Sequence, residues 1–244
     1  MTRIRVACHV HSEWSYDGKW SLEEIAAAFF RRGYQAVMMT EHDRGLSEQR
    51  RLEHREACSQ ASSADILLLP GIEYSDGANC VHILVWGDVP FIGAHMDTRD
   101  VLAAVAAAGG IAVLAHPSRK QAWRRFDALW GPGLIGIESW NRKTDGWAPS
   151  RDAQPLLQTS GALPFVGLDF HDQRQFFPLA MVLEVNPPIS EAAVLGAIRS
   201  RRCSFEAFGS SIQKLSGGLP ARALQMAELL RRSAAPIYRK FVAP

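Results

Sequence analysis

Short apolar runs that end in histidine or carboxylate side chains recur along the chain, and this repetition restricts the folds that it can adopt. The runs at 4–10, 36–40, 111–115 and 164–168 lead into His9-x-His11, His42, His116 and Asp169-x-His171. Apolar runs of this length are typical of buried strands. Polar groups that could bind a metal therefore stand at the carboxyl ends of predicted strands, where α/β proteins place their chemistry.

Segments with helical spacing separate most of these runs. Ser21 and Glu24 form a capping box before a helix predicted at 22–32, and Gly33 suits its end. Further helices are predicted at 44–63, 101–108, 150–160, 190–198 and 219–232, and further strands at 66–69, 78–86, 134–137 and 180–185, with a turn at 70–73. Alternating strands and helices predict an α/β fold with a largely parallel sheet. Seven or eight strands favour a closed barrel over an open sheet.

The composition agrees with one globular domain over residues 1–244. The chain has 244 residues, of which 47% are hydrophobic, enough for one sizeable core. A net charge of +2 gives no strong field towards nucleic acid or a membrane surface. Four dispersed cysteines indicate buried thiols in a reducing compartment. No signal peptide and no apolar run of membrane-spanning length stand out, so a cytoplasmic protein is expected.

Six histidines and three carboxylates are candidate metal ligands. In an extended chain, His9 and His11 face one way, and Asp169 and His171 repeat this spacing. Two histidines near a terminus can also be merely solvated; the agreement between position and chemistry along the chain favours a site. The candidates are His9, His11, Asp17, His42, Glu73, His82, His116, Asp169 and His171. His54 is interpreted as a surface residue and His95 is left outside the site.

Nine ligands exceed the needs of one divalent ion, so several ions are expected. Mixed nitrogen and oxygen ligands suit Zn, Mn or Fe(II) rather than Ca or Mg. Clustered cations activate water, bind phosphoryl oxygens and stabilise a leaving oxygen, and they make a protein nucleophile unnecessary. The sequence contains no P-loop, no nucleophile-elbow Gly-x-Ser-x-Gly and no His-Glu-x-x-His pattern.

These motifs together resemble the PHP (polymerase and histidinol phosphatase) family. The resemblance covers about residues 3–205 and rests on His9-x-His11 with Asp17-Gly18, Thr40-Glu41-His42-Asp43, Pro70-Gly71-Ile72-Glu73, His82, Ala115-His116-Pro117 and Asp169-x-His171. It implies a distorted (β/α)7 barrel with a trinuclear metal site. It also implies a phosphoesterase that uses a hydroxide between the ions as nucleophile. Residues 206–244, beyond these motifs, are expected to form a C-terminal helix and tail.

The resemblance also implies a role for each ligand. His9, His11, Glu73 and Asp169 would hold the first ion; Glu73 would bridge to a second ion completed by His82 and His116; Asp17, His42 and His171 would hold the third. Of these, His9, His11, Asp17, Glu73, His116, Asp169 and His171 are expected to be catalytic. Glu41 stands where the family more often has Asp, and we expect it to orient His42.

Residues that contact the substrate are less clearly marked. Arg119 resembles a position where some family members place a basic phosphate contact, and Arg44 is a second candidate. Lys19, Arg142 and Arg174 also follow strand ends; each of these cations can equally be a solvated surface charge. Glu138 and Asn141 are expected near the rim, in a structural or a substrate role. Trp14, Trp140 and Trp147 could wall a pocket or simply pack.

The leading interpretation is a metal-dependent phosphoesterase, with about three Mn, Zn or Fe ions, acting on a small phosphorylated metabolite or nucleotide. A nuclease acting on short oligonucleotides is the main alternative, although near-neutral charge argues against binding an extended strand. A non-catalytic metal-binding scaffold and hydrolysis of a non-phosphate bond are two further interpretations.

Overall fold

The computed structural model describes residues 1–211 and 218–242, with side chains to residue 234. Its strands are β1 (Thr2–Val10), β2 (Ala36–Met39), β3 (Glu41–His42), β4 (Leu67–Leu69), β5 (Gly71–Ser75), β6 (His82–Trp86), β7 (Ile111–Leu114), β8 (Gly136–Asn141), β9 (Leu163–Gly167), β10 (Leu179–Val185), β11 (Cys203–Ala207) and β12 (Ser210–Ser211). They form two six-stranded sheets, in the orders β12-β11-β10-β1-β2-β4 and β3-β5-β6-β7-β8-β9.

The two sheets are joined at both sides of the site. A single residue, Thr40, separates β2 from β3, and Pro70 separates β4 from β5, so both chain segments cross from one sheet to the other. On the opposite side, Phe170 N donates to His9 O and His11 N donates to Phe170 O. The α/β class is as predicted, with the strands in two sheets. The expected (β/α)7 barrel is not confirmed, since no closed barrel is detected among the described residues.

The sheets are mixed, which corrects the prediction of a largely parallel sheet. β1 pairs in parallel with β2, but β10 runs antiparallel to both β1 and β11. In the second sheet, β6 runs antiparallel to both β5 and β7. Hydrophobic runs alone do not distinguish the two directions when both faces of a strand are buried.

The segment predicted as a turn at 70–73 is instead the start of β5. Glu73 lies inside this strand and pairs in register with Leu84 of β6. The strand predicted at 78–86 begins only at His82, which is the first residue of β6. β6 runs antiparallel to its neighbours β5 and β7, so its first residue lies at the edge where those two strands end. His82 therefore reaches the same edge as the other candidate ligands.

The helices are α1 (Leu22–Phe30), α2 (Glu48–Ala61), α3 (Thr98–Ala107), α4 (Arg142–Asp145), α5 (Ala153–Ser160), α6 (Glu191–Arg199) and α7 (Gly218–Val242). The capping box of Ser21 and Glu24 is confirmed. Asp97 is the N-cap of α3 and Ser190 that of α6. α7 continues past 232, where a tail was expected. Residues 212–217 and 243–244 of the predicted C-terminal region lie outside the described residues.

Apolar side chains of α1 and α6 pack on the first sheet, while those of α3 pack on the second. Ile4, Phe29 and Leu183 are fully buried in the larger core. None of the helices in the described ranges has the length and apolar character that crossing a membrane requires.

Candidate metal centre

His9 and His11 end β1 with both imidazoles fully buried and their ring centroids 5.2 Å apart. The pairing of β1 with β2 is interrupted between Cys8 and Val10, and His9 has a left-handed φ of 61°. A bulge of this kind re-aims side chains at a strand end. The two imidazoles meet as predicted, but through this bulge rather than through a regular extended strand.

Asp169 and His171 lie beside this histidine pair because backbone hydrogen bonds of Phe170 tie their segment to β1. Asp169 Oδ1 is 3.8 Å from Nε2 of both His9 and His11. The ring of His171 stacks on that of His11 at 4.2 Å. Residues about 160 positions apart in the chain therefore share one site.

Glu73 is at the centre of the cluster. Its carboxylate is 1% exposed and is surrounded by five imidazoles. The distances from its oxygens to the nearest ring nitrogen are 3.4 Å for His9, 3.3 Å for His11, 3.2 Å for His42, 2.6 Å for His82 and 2.9 Å for His116. Burial raises the pKa of Glu73, but the surrounding imidazoles hold it well below its usual range.

Asp17 joins His42 and His171 at the mouth of the cluster, with contacts of 3.3 Å and 3.2 Å. Burial lowers the pKa of His42, but its hydrogen bonds with Asp17 and Glu73 raise it to about 10. Burial, together with the charges of His171 and His42, lowers the pKa of His11 to about 3.

The donor set fits divalent cations. His9 Nε2, His11 Nε2 and Asp17 Oδ1 are buried and make no hydrogen bond within the described part of the chain. Buried polar atoms are normally satisfied, so these atoms need a further partner. Three triplets have ligand atoms within 4.8 Å of one another: His9, His11 and Asp169; His9, Glu73 and His116; and His11, His42 and His171.

These triplets resemble the ligand sets implied by the sequence without reproducing them. The triplet of His9, His11 and Asp169 lies wholly within the first implied set. Each of the other two combines two residues of the second or third set with His9 or His11. His82 belongs to none of the three, although its Nδ1 contacts Glu73. Asp17 contacts His42 and His171 but is likewise outside the triplets.

Glu138 lies on the buried side of the cluster, whereas it was expected near the rim. Its Oε1 is 2.8 Å from His9 Nδ1, and its Oε2 accepts a hydrogen bond from His116 N. Asn141, also fully buried, donates to Glu138 Oε2. The signal was present in the sequence, because Glu138 follows an apolar run in the same way as the ligands do.

Glu41, which was expected to orient His42, is linked to it through a serine side chain. It accepts hydrogen bonds from Ser12 and Ser15. Ser15 Oγ then accepts from His42 N at 3.0 Å and lies 3.3 Å from His11 Nδ1. Glu41 thus positions the ligands through Ser15.

His54 is 3% exposed, so its interpretation as a surface residue is wrong. His54 Nε2 lies 3.5 Å from Glu41 Oε1 and 3.3 Å from Cys58 Sγ. The residues next to His54 in the sequence are polar, which suggested an exposed position. In α2, however, His54 lies on the buried face together with Arg51 and Cys58.

A cavity of about 170 Å³ opens over the cluster. Both predicted substrate contacts, Arg44 and Arg119, line it, together with Lys143, Tyr16 and His95, which the sequence analysis did not select. Arg119 donates to Asn79 O and lies 3.1 Å from His82 Nε2.

The other residues considered as substrate contacts do not line the cavity. Lys19 pairs with Asp172 on the surface, Arg142 packs over Phe177, and Arg174 is exposed. Trp140 is fully buried in the core, and neither Trp14 nor Trp147 lines the cavity. Tyr16 is the aromatic residue there, and its ring stacks on His42 at 4.9 Å.

No protein-family model matches the chain, and no curated protein matches it in sequence. Solved structures do match. A two-domain protein of Bacteroides vulgatus containing a predicted PHP-like metal-dependent phosphoesterase aligns over 84% of this chain and 65% of its own, with 19% identity and a TM-score of 0.63. PsfC of Pseudomonas syringae aligns over 96% and 99%, with 17% identity and a TM-score of 0.62.

A third similar structure is Endonuclease Q in complex with a 27-mer duplex substrate bearing an abasic lesion at the active site. It aligns over 82% of this chain and 57% of its own, with 12% identity and a TM-score of 0.61. The chain therefore spans less than two thirds of the first and third of these proteins. These neighbours confirm that the chain has the fold of PHP-like metal-dependent phosphoesterases and Endonuclease Q.

Proposed function

We propose that the chain is a metal-dependent hydrolase of phosphoric esters. The observation that supports this most strongly is the buried Glu73 carboxylate inside a ring of five imidazoles. A purely structural role would leave several ring nitrogens without partners at a high desolvation cost. Divalent cations would satisfy these nitrogens and carboxylates together.

Up to three cations are proposed, with the ligand sets that the sequence implies. His9, His11, Asp169 and Glu73 would hold the first, Glu73, His82 and His116 the second, and Asp17, His42 and His171 the third. Imidazole and carboxylate together suit Mn, Zn or Fe. Such ions would lower the pKa of water and neutralise phosphoryl oxygens.

The protein groups around the ions would orient them and the substrate. Glu138 holds His9 so that Nε2 faces Glu73, and Ser15 contacts Nδ1 of His11 and the backbone N of His42. Outer contacts of this kind commonly set ligand geometry in metal enzymes. Arg44 and Arg119 line the cavity and would bind phosphate oxygens.

The size of the cavity bears on the substrate. Pockets that enclose a whole drug-sized ligand measure roughly 300–1,000 Å³, and this cavity measures about 170 Å³. A phosphoryl group would enter it while the rest of the substrate stays at the mouth, near Tyr16. A small phosphorylated metabolite or a nucleotide fits this arrangement.

A nuclease is the second candidate, and the likeness to Endonuclease Q favours it. The net charge of +2 is low for a protein that tracks an extended strand. Comparing turnover of mononucleotides with that of short single-stranded and duplex oligonucleotides would decide between the candidates. Faster turnover of oligonucleotides would favour the nuclease.

The proposal is tested by metal content and turnover of a generic phosphomonoester. Wild-type protein loaded with Mn, Zn or Fe should retain about three ions and hydrolyse the ester, and Asp169→Asn should abolish turnover. Asp172→Asn is the matched control, because Asp172 pairs with Lys19 on the surface three residues away. A loaded wild-type protein that is inert on mono-, di- and nucleotide phosphates contradicts the proposal.

A further inference from the structure

Lys143 contacts the cluster, and neither the proposed ligand sets nor the predicted substrate contacts include it. Its Nζ lies 3.1 Å from Asp169 Oδ1 and 3.3 Å from His171 Nε2. The side chain is 42% exposed and lines the cavity. Among the Lys and Arg side chains that line this cavity, Lys143 is the one that contacts a carboxylate of the cluster.

The backbone of Lys143 is held firmly although its side chain is exposed. Lys143 lies in the short helix α4, whose N-cap Asn141 accepts a hydrogen bond from Thr144 N and donates to Glu138. Asp145 in turn accepts from Asn141 N at 2.7 Å. The same buried group, Glu138, thus anchors both His9 and the base of Lys143.

The position of the Lys143 ammonium group points to a role in binding an anion. Asp169 Oδ1, which Lys143 contacts, also lies 3.8 Å from Nε2 of both His9 and His11. A divalent cation held by His9, His11 and Asp169 would share the Asp169 carboxylate with the Lys143 ammonium. Two neighbouring positive charges attract an anion to the space that both face. That space is the cavity, where a phosphoryl group would bind.

We propose that Lys143 binds the substrate phosphate: its ammonium donates a hydrogen bond to a non-bridging phosphoryl oxygen beside Asp169. This rests on the proposed phosphoesterase function. A lysine suits the task, because its ammonium is a compact charge on a flexible stem that can shift from Asp169 to the phosphate without backbone movement. The competing explanation is a plain ion pair that only holds Asp169 in place.

Calorimetric titration of inorganic phosphate into the metal-loaded protein separates these explanations. Lys143→Met should weaken phosphate binding by about tenfold or more, as expected for loss of a charge-assisted hydrogen bond, while the metal content per chain stays at the wild-type value. Lys143→Arg should recover part of the loss. Lys19→Met is the control, since Lys19 is an exposed partner of Asp172 and does not line the cavity.

Two outcomes overturn the proposal. Wild-type phosphate affinity in Lys143→Met would show that Lys143 does not bind phosphate, and loss of metal in that variant would show that it only holds Asp169. Steady-state kinetics should agree, with a raised KM for the phosphomonoester in Lys143→Met. If the loaded wild-type protein neither binds phosphate nor turns over esters, the proposed function itself fails, and the role of Lys143 fails with it.

Discussion

His9 Nδ1 lies 2.8 Å from Glu138 Oε1, and this contact decides which nitrogen of His9 faces the cluster. With Nδ1–H donated to Glu138, Nε2 is left as the nitrogen that approaches Glu73 and Asp169. The other oxygen of Glu138 accepts from His116 N. One buried carboxylate thus constrains two proposed ligands on different strands.

Glu138→Gln should weaken metal binding by about 10- to 100-fold, the usual effect of losing an outer partner of a metal-binding histidine. The amide can retain one hydrogen bond but loses the charge that stabilises the His9 tautomer. Titration of metal-free protein with Mn or Zn measures this. Unchanged affinity in Glu138→Gln would mean that the backbone alone orients His9.

Strand ends can be recognised locally, and this marked several of the proposed ligands in the sequence. Apolar runs mark the strands, and a histidine or acid directly after them, such as His116 or Asp169, marks the edge. Glu73 lies inside β5 and His82 begins β6, so these two do not follow that rule. The supporting residues were harder to find, because their roles depend on contacts across more than 25 positions, such as those of Glu41 with Ser12 and Glu138 with His9. Strand direction and barrel closure are likewise set by long-range pairing, which no local pattern shows.

Gly167 at the end of β9 is needed for the close approach of Glu138 and His9. A Cβ at Gly167 would overlap Glu138 Oε1 and come within 3.0 Å of His9 Cβ. Gly167→Ala should therefore destabilise the fold by about 1–3 kcal/mol, the usual cost of overpacking, and should weaken metal binding as well. Urea unfolding and metal titration measure the two effects.

Gly196→Ala provides the matched control for that substitution. Gly196 lies within α6, and a Cβ there meets nothing within 4 Å. Alanine should stabilise the helix by about 0.5–1 kcal/mol. A Gly167→Ala protein as stable as Gly196→Ala would contradict the packing described around Glu138.

His54 should matter to the metal site although it lies outside the cavity. It contacts Glu41, which holds Ser15 next to His11 and His42. His54→Leu should cost about 1–3 kcal/mol, since it leaves a buried carboxylate with fewer partners. It should also reduce the affinity of the ion proposed at Asp17, His42 and His171.

Thermal unfolding and metal titration of His54→Leu test this relay. Glu56→Gln is the control on the same helix, because Glu56 is exposed and contacts only Gln60 within the described residues. Wild-type metal affinity in a destabilised but folded His54→Leu protein would confine His54 to a packing role.

Asp145 should make the fold less stable as pH rises towards neutrality. Burial raises the pKa of Asp145 from 3.8 to about 7, although its hydrogen bond from Asn141 N opposes the shift. Between pH 3.8 and about 7, the Asp145 carboxyl is protonated in the folded chain and ionised in the unfolded chain. The contribution of Asp145 is thus fully present below about pH 4 and is lost as pH rises through 7.

Asp145→Asn keeps the acceptor for Asn141 N and removes the ionisation. The variant should be more stable than wild type at pH 8, by up to about 4 kcal/mol, and the gap should shrink as pH falls towards 4. Asp145→Ala, which leaves Asn141 N without its acceptor, should be less stable than Asp145→Asn at every pH. Urea midpoints measured from pH 4 to 8 test this, and wild-type and Asp145→Asn curves that run parallel would rule out a buried, protonated Asp145.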